Sequence, residues 1–396
     1  MTRSAAVTLL CANLVALPGA YGQVSGTVFT DLNANGRRDP GESGLARVAV
    51  SNQVDVVATD SAGVFTLAGA GSGIVFVSVP DGYRAVNRFW QRADSAPLNF
   101  ALAQSPRAEE TVFIHASDVH IQKSSLPRMD RLRAIIDSVR PAFVVVTGDL
   151  TRDALRVGEE EARGYFELYR QESGRISVPV WNVPGNHENF GIERHLSLVA
   201  RSHPLYGRGM YRHYLGPDYY SFTAGGVHFV GLNSVDYEDL WYYGHVDSTQ
   251  LRWLQRDLAQ VPRNMPIVTF NHIPFAAGAP AIAGYDDTPG MTVLRVGGKD
   301  QLRHVVSNLD EVLKVLEDRP FPLALGGHFH ERERIEFGLQ GRLSTRFEQA
   351  AAVVGPGGLP WLPMASGVTV YRIRGGEISE GMFVPLDPVQ VKTSGE

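Results

Sequence analysis

The stretch Val178-Pro-Val-Trp-Asn-Val-Pro-Gly-Asn-His-Glu188 runs an apolar segment straight into four residues of chemical interest, Gly185-Asn186-His187-Glu188. The same arrangement recurs four times. Thr111 to Ser117 leads into Asp118-Val119-His120 and Ala142 to Thr147 into Gly148-Asp149; Pro266 to Phe270 leads into Asn271-His272 and Pro322 to Leu325 into Gly327-His328-Phe329-His330. Short buried strands that each deliver polar residues just past the C-terminal end are the pattern of an α/β sheet, where ligands gather at that edge. Five repetitions point to one site assembled from separated pieces.

Helices fall between the strands. Leu132, Ile135, Ile136 and Val139 mark one helical face, which Pro141 ends. Leu251, Leu254 and Leu258 mark a second, and Leu309, Val312, Leu313 and Leu316 a third. Tyr219 to Phe222 with Val227 to Asn233 reads as a hairpin, as does Gly367 to Ile373 with Glu377 to Phe383 around Gly375-Gly376.

The donor atoms in the five pieces are carboxylate oxygens, amide oxygens and imidazole nitrogens, with no thiolate, a set suited to Mn, Fe or Zn. One ion takes three or four such ligands, and seven are on offer. Two ions sharing a carboxylate use them all, and a pair ~3.5–4 Å apart can clamp both oxygens of an in-line displacement at phosphorus. The chain of 396 residues is 44% hydrophobic and 20% charged with a net charge of −5. It has no basic stripe, so nucleic-acid binding driven by counterion release is not indicated. A small phosphorylated substrate would be attracted by metal.

Taken in order, Asp-x-His, Gly-Asp, Gly-Asn-His-Glu, Asn-His and Gly-His-x-His resemble the calcineurin-like metallophosphoesterase superfamily over roughly residues 110 to 385. The resemblance implies an α/β fold of two mixed β-sheets packed face to face with flanking helices, and metals at one edge. It also implies that Asp118, His120 and His330 hold the first metal, Asn186, His272 and His328 the second, and that Asp149 bridges them. His187, next to Asn186, would face the substrate and protonate the leaving oxygen, with Glu188 as its acidic partner. Imidazole is well suited to that task, since its ordinary pKa lies near neutrality and a neighbouring carboxylate holds it cationic. His115, His195, His203, His213, His228, His245 and His304 are read as core or surface groups. Purple acid phosphatases, a branch of the superfamily, carry Tyr three residues after the Gly-Asp aspartate; Arg152 stands there in this chain, which argues against a tyrosinate-ligated enzyme. The implied function is hydrolysis of a phosphomonoester or phosphodiester. The alternative is a catalytically inactive binding protein on the same scaffold, which loss of a ligand or of His187 would have favoured.

The sequence ahead of this region divides in two. Arg3, the apolar run Ala5 to Leu17 and the small residues before Gly22 read as a cleaved signal peptide over residues 1–22, so a secreted or periplasmic, bacterial protein is expected, with no membrane span in the mature chain. The only cysteine, Cys11, lies inside it. Residues 23–105 alternate short β-branched runs with Gly, Asp and Pro, as a small all-β sandwich does, ahead of a catalytic domain at 106–396. Within it, Asp31, Asn33, Asn35, Arg37 (through its carbonyl), Asp39 and Glu42 fall at positions 1, 3, 5, 7, 9 and 12 of a Ca²⁺ loop, with Gly36 at the sharp turn. This stretch resembles the calcium-binding B-type repeats of bacterial surface proteins, and the resemblance implies a structural Ca²⁺. Tyr237 to His245 reads either as an aromatic loop facing the substrate or as ordinary packing, and Gly278 to Gly298 as a lid.

Overall fold

The computed structural model describes residues 22–94, 97–283, 293–338, 344–359 and 362–387. Residues 1–21 of the expected signal peptide, and Tyr285-Asp286-Asp287 of the expected lid, lie outside the described residues.

Two six-stranded mixed sheets pack face to face. In the first, Val180–Val183, Phe143–Thr147 and Thr111–Ala116 run parallel, and Gly367–Arg374 pairs antiparallel with Thr111–Ala116. Glu377–Ile378 and Met382–Pro385 both pair with Gly367–Arg374, so the terminal hairpin is interrupted. The second sheet has the order Tyr220–Ala224, Val227–Gly231, Ile267–Phe270, Leu323–Gly326, Thr345–Gln349, Glu333–Phe337; its central four strands are parallel and each outer strand is antiparallel to its neighbour. Phe143–Thr147 is buried at every position, as a parallel strand covered on both faces must be.

Alternation along the strands decides which side chains meet between the sheets. Phe113, Phe143 and Trp181 of the first sheet meet Phe222 and Phe229 of the second; Trp181 stacks on Phe222 at 4.0 Å between ring centroids, and Phe113 meets Phe229 edge-on at 5.4 Å. On the opposite face, Ile114, Val144 and Val146 bury against Met129, Leu132 and Ile136 of the helix Leu126–Val139, and against Phe166 and Tyr169 of the helix Glu159–Ser173. Each such side chain stabilises the fold by roughly 1.5–3 kcal/mol. The helix Glu159–Ser173 has a sparse apolar stripe of Ala162, Phe166 and Tyr169 with Gly164 between, too thin to stand out in the sequence.

The N-terminal region forms two four-stranded sheets, Val64–Leu67, Val24–Thr30, Leu98–Gln104, Tyr83–Ala85 and Val56–Ala58, Ala49–Ser51, Ile74–Val77, Trp90–Arg92. It shares one continuous apolar core with the sheets behind it, in which Phe76 meets Trp253 and Tyr220 edge-on. Polar contacts fix the orientation. Trp253 donates to Ser51 Oγ at 3.1 Å, and Gln53 Nε2 donates to Asp218 Oδ1 at 3.1 Å and to the Tyr219 carbonyl at 2.9 Å. Among the described residues no helix is long and apolar enough to cross a membrane.

Candidate metal centre

Five strand ends bring the seven predicted ligand residues to one edge of the two sheets. Asp118, His120, Asp149 and His330 form one group and Asp149, His272 and His328 another, with ligating atoms in each group within 4.8 Å of one another. Asp149 belongs to both. Its Oδ1 lies 3.2 Å from His272 Nε2 and its Oδ2 3.5 Å from His120 Nε2, so the two carboxylate oxygens face the two groups separately. Asn186 Oδ1 completes the second group at 3.0 Å from His272 Nε2. In the first, His330 Nε2 stands 3.1 Å from His120 Nε2 and 3.3 Å from Asp118 Oδ1.

The backbone is forced into shape here. Asp118, His120, Asp149, His328 and His330 all take left-handed φ values between 41° and 80°, a conformation that L-residues avoid and that persists where surrounding structure over-determines it. The restraints are visible: His120 N donates to the Asp149 carbonyl, Asp118 N to the Gly148 carbonyl and Gly327 N to the His272 carbonyl. Two glycines are required by close approach. A Cβ at Gly185 would overlap Asp149 Oδ1, and one at Gly327 would overlap Ser117 Oγ.

The residues fit divalent ions. His272 Nδ1 donates to the Thr147 carbonyl at 2.7 Å, which turns the Nε2 lone pair toward Asn186 Oδ1, Asp149 Oδ1 and His328 Nδ1, the last 3.2 Å away. Four acceptors pointed at one another call for a cation at their centre. Asp118 Oδ1, fully buried, makes no hydrogen bond. The titration behaviour has the same origin. Burial opposes ionising Asp149, yet His272 and His187 hold its carboxyl well below the usual range. Burial likewise opposes charging His272, but the Asp149 carboxylate pushes it up to about 9: the acceptors around Nε2 draw positive charge to it, and a metal ion would take the place of that proton. Burial lowers His120 to about 4, which leaves it neutral and able to ligate.

His187 and His330 are partly exposed, at 18% and 31% of their side chains, so the site is open to solvent on their side. His187 Nε2 stands 3.8 Å from Asp149 Oδ2 on that side. The expected pairing of His187 with Glu188 is not made. Glu188 is buried with its Oε1 accepting from Thr151 N and Thr151 Oγ1, both at 2.8 Å, and its Oε2 accepting from Gly185 N at 2.6 Å. It ties the Asp149 loop to the Asn186 loop, and burial raises its carboxyl to about 7. The short 3-10 turn at Asn186–Glu188 puts neighbouring side chains on different sides, which adjacency in sequence does not reveal. The carboxylate beside His187 is Asp153, whose Oδ1 lies 3.6 Å from His187 Nδ1. Asp153 is held by Arg156 at 2.9 Å, and Arg156 is gripped through two nitrogens by Glu193 at 3.0 and 2.8 Å.

Of the histidines read as bystanders, His115 is a buried core group on Thr147 Oγ1 with its pKa lowered to about 3 by burial, and His228 pairs with buried Asp257 at 2.8 Å. His304 differs: its Nδ1 stands 2.7 Å from His328 Nε2. It belongs to no strand-end block, so nothing in the strand pattern marked it. Arg152 is exposed. In the Tyr237 to His245 segment, a hairpin of Val235–Glu238 and Trp241–Gly244, Tyr242 is buried with its ring edge-on to His328 at 6.1 Å.

In the N-terminal loop, buried Asp31 accepts from Asn35 N at 3.3 Å and Gly36 N at 2.7 Å, and buried Glu42 from Leu32 N at 2.8 Å and Asp39 N at 2.9 Å. Gly36 has φ 77°, the sharp turn that the spacing requires. Asn33 and Asn35 donate their side-chain NH₂ groups to Asp39 at 2.9 and 2.7 Å.

A double-sheet α/β sandwich with a buried His/Asp/Asn cluster sharing one carboxylate defines a candidate dinuclear metalloprotein. A profile of the calcineurin-like phosphoesterase family matches residues 111–332, and the chain belongs to that family. A second profile, for the N-terminal region of calcineurin-like phosphoesterases, matches residues 32–105. Among curated relatives, the chain is 23% identical over 211 residues to a 3',5'-cyclic-nucleotide phosphodiesterase of Nostoc, covering 53% of this chain and 61% of that protein. It is 21% identical over 226 residues to a probable glycerophosphodiester phosphodiesterase of Arcobacter nitrofigilis, covering 51% of this chain and 68% of that one. Similar solved structures include a dimetal phosphatase from Danio rerio, at 16% identity and TM-score 0.44 over 70% of this chain and 99% of that one. The GAP50 anchor of the Plasmodium inner membrane complex is similar at 14% identity and TM-score 0.40, over 70% of this chain and 85% of that one.

Proposed function

We propose that the protein is a metal-dependent phosphodiesterase acting on a small phosphodiester. The observation that carries this reading is the convergence of seven ligand side chains into two groups that share Asp149. The names of the two curated relatives, both phosphodiesterases, favour the diester over the monoester. Asp118, His120 and His330 would hold one ion and Asn186, His272 and His328 the other, with Asp149 between. When bound, the ions would supply Lewis acidity toward the phosphoryl oxygens and a nucleophilic water at neutral pH.

The chain's own residues do the rest. His187, at the opening with Nε2 toward the shared Asp149 carboxylate, would protonate the departing alkoxide. Asp153 faces the ring at Nδ1, 3.6 Å away and beyond hydrogen-bond distance, and acts on it electrostatically, while the Arg156–Glu193 clamp holds Asp153 in place. Glu188 keeps the Asp149 and Asn186 loops in register, a positioning role and not proton transfer. The basic n-region and apolar run of residues 1–22 support export with cleavage after Gly22, and the six liganding positions from Asp31 to Glu42 support a structural Ca²⁺ in the mature protein. The ordered export of a chain whose one cysteine lies in the leader would leave a mature protein without thiols.

The test is hydrolysis of bis-p-nitrophenyl phosphate and of p-nitrophenyl phosphate by Mn²⁺-loaded mature protein, beside an Asp149→Ala control. Faster turnover of the diester, abolished in the control, is the expected result. A faster monoester reaction would reassign the substrate class, and no turnover of either by protein carrying two ions would sink the catalytic reading.

A further inference from the structure

His328 is engaged on both sides of its ring. Its Nδ1 faces His272 Nε2 at 3.2 Å, at the point on which Asn186 Oδ1 and Asp149 Oδ1 also converge, while its Nε2 stands 2.7 Å from His304 Nδ1. The His304 and His328 ring centroids are 5.0 Å apart with 22° between planes. With that short N···N distance, the rings meet edge to edge with nitrogens aimed at each other.

A ligating imidazole uses the lone pair of one nitrogen and carries its proton on the other, and the acceptor of that proton fixes both tautomer and ring orientation. We propose that His304 is a positioning residue for the second metal: its Nδ1 accepts the His328 Nε2–H and holds His328 with Nδ1 turned into the pocket of Asn186, His272 and Asp149. His304 then carries its own proton on Nε2.

The segment bearing His304 is fastened to the loop that follows His272 and to the hairpin that bears Tyr242. Val306 N donates to the carbonyl of Pro274, two residues past His272, and Ser307 N to the Gly244 carbonyl, both at 2.9 Å. Asn308 Oδ1 accepts from Val246 N at 3.0 Å. The His304 ring packs edge-on to Tyr242 at 6.0 Å, and the Arg303 guanidinium lies 4.4 Å over the same tyrosine ring. The acceptor is therefore held before any ion arrives, which is what a positioning group requires.

The inference rests on the two-metal reading, and the test separates the two. Metal-stripped wild type, His304→Phe, which keeps a ring but removes the acceptor, and His304→Gln, which keeps an acceptor, are titrated with Mn²⁺ by calorimetry, with electron paramagnetic resonance to count coupled pairs; thermal unfolding without metal checks the fold. Wild type should take two ions. The Phe variant should bind one of them about 10–100-fold more weakly and the other unchanged, and the Gln variant should be restored to near wild type. Should the Phe variant not fold, His304→Met takes its place. A Phe variant with both affinities unaltered overturns the inference and leaves the two-metal reading standing. Equal weakening of both ions in both variants is the mark of a packing role and overturns it too. A wild-type protein that takes up no second ion overturns the two-metal reading and the inference with it.

Discussion

Replacing Asp153 by Asn should slow hydrolysis of an alkyl phosphodiester far more than that of bis-p-nitrophenyl phosphate. An alkoxide must be protonated as it leaves, whereas nitrophenolate departs without help, so a defect confined to the general acid shows only with the poor leaving group. The size of the defect follows from geometry. Asp153 Oδ1 lies 3.6 Å from His187 Nδ1. Two unit charges at that separation attract by about 1 kcal/mol in bulk water and by about 4–5 kcal/mol at an effective dielectric constant of about 20. Both side chains are 18% exposed, which places the pair between these limits. A loss of about 2 kcal/mol corresponds to roughly thirty-fold in kcat, below the 10²–10⁴-fold span expected for His187→Ala, which removes the acid altogether. The assay is kcat on both diesters for wild type and the two variants, each checked for two bound ions. Equal loss on both leaving groups in Asp153→Asn would mean that Asp153 acts through the metals or the fold, and no loss on either would mean that it does not orient His187.

Three further outcomes are expected. Asp218 sits fully buried between Arg212, Gln53 and Asn233, and although burial opposes its ionisation, Arg212 lowers its pKa from 3.8 to about 2. Its folded value is depressed, so it contributes about 2 kcal/mol that is present above pH 4 and lost as pH falls toward 2; in urea unfolding, Asp218→Asn should be destabilised by at least that amount at pH 7 and should lose less stability than wild type between pH 4 and 2. Adding Ca²⁺ to metal-stripped mature protein should raise its melting temperature in wild type and not in Asp31→Ala, and equal responses would dispose of the calcium loop. Gly185→Ala places a methyl group on Asp149 Oδ1 and should cost about 1–3 kcal/mol of stability while displacing the Asp149 carboxylate, seen as a drop in bound Mn²⁺; normal metal uptake would contradict the close approach.

Much of this protein is legible one-dimensionally because strands deliver polar residues with a fixed period and direction. The run Phe143–Thr147 is buried at every position and Asp149 follows two residues later, so an apolar run and a terminal aspartate suffice to place both. The five blocks that hold the seven ligand residues are legible for the same reason, each being tied to a strand end, while which of their side chains ligate was implied by the family resemblance. The sequence also sufficed for Gly36 at the sharp turn of the N-terminal loop, since only the spacing of oxygens was needed. Local chemistry sets these features, and local chemistry is written in order along the chain.

What neighbours touch across the fold was decided only by tertiary structure. Glu188 is adjacent to His187 in sequence, but a tight turn sends its carboxylate to Thr151 and Gly185, and Asp153, thirty-four positions away, comes to the imidazole instead. His304 follows no strand-end pattern and reaches His328 because its segment is pinned to Pro274 and Gly244. The N-terminal sheets could be read as a separate unit from composition, yet Gln53, Ser51 and Phe76 bury against Asp218, Trp253 and Tyr220 in a shared core. Periodicity fixes the direction in which a side chain leaves its own strand or helix; the partner it finds depends on the packing of elements far apart in the chain, and no local pattern carries that information.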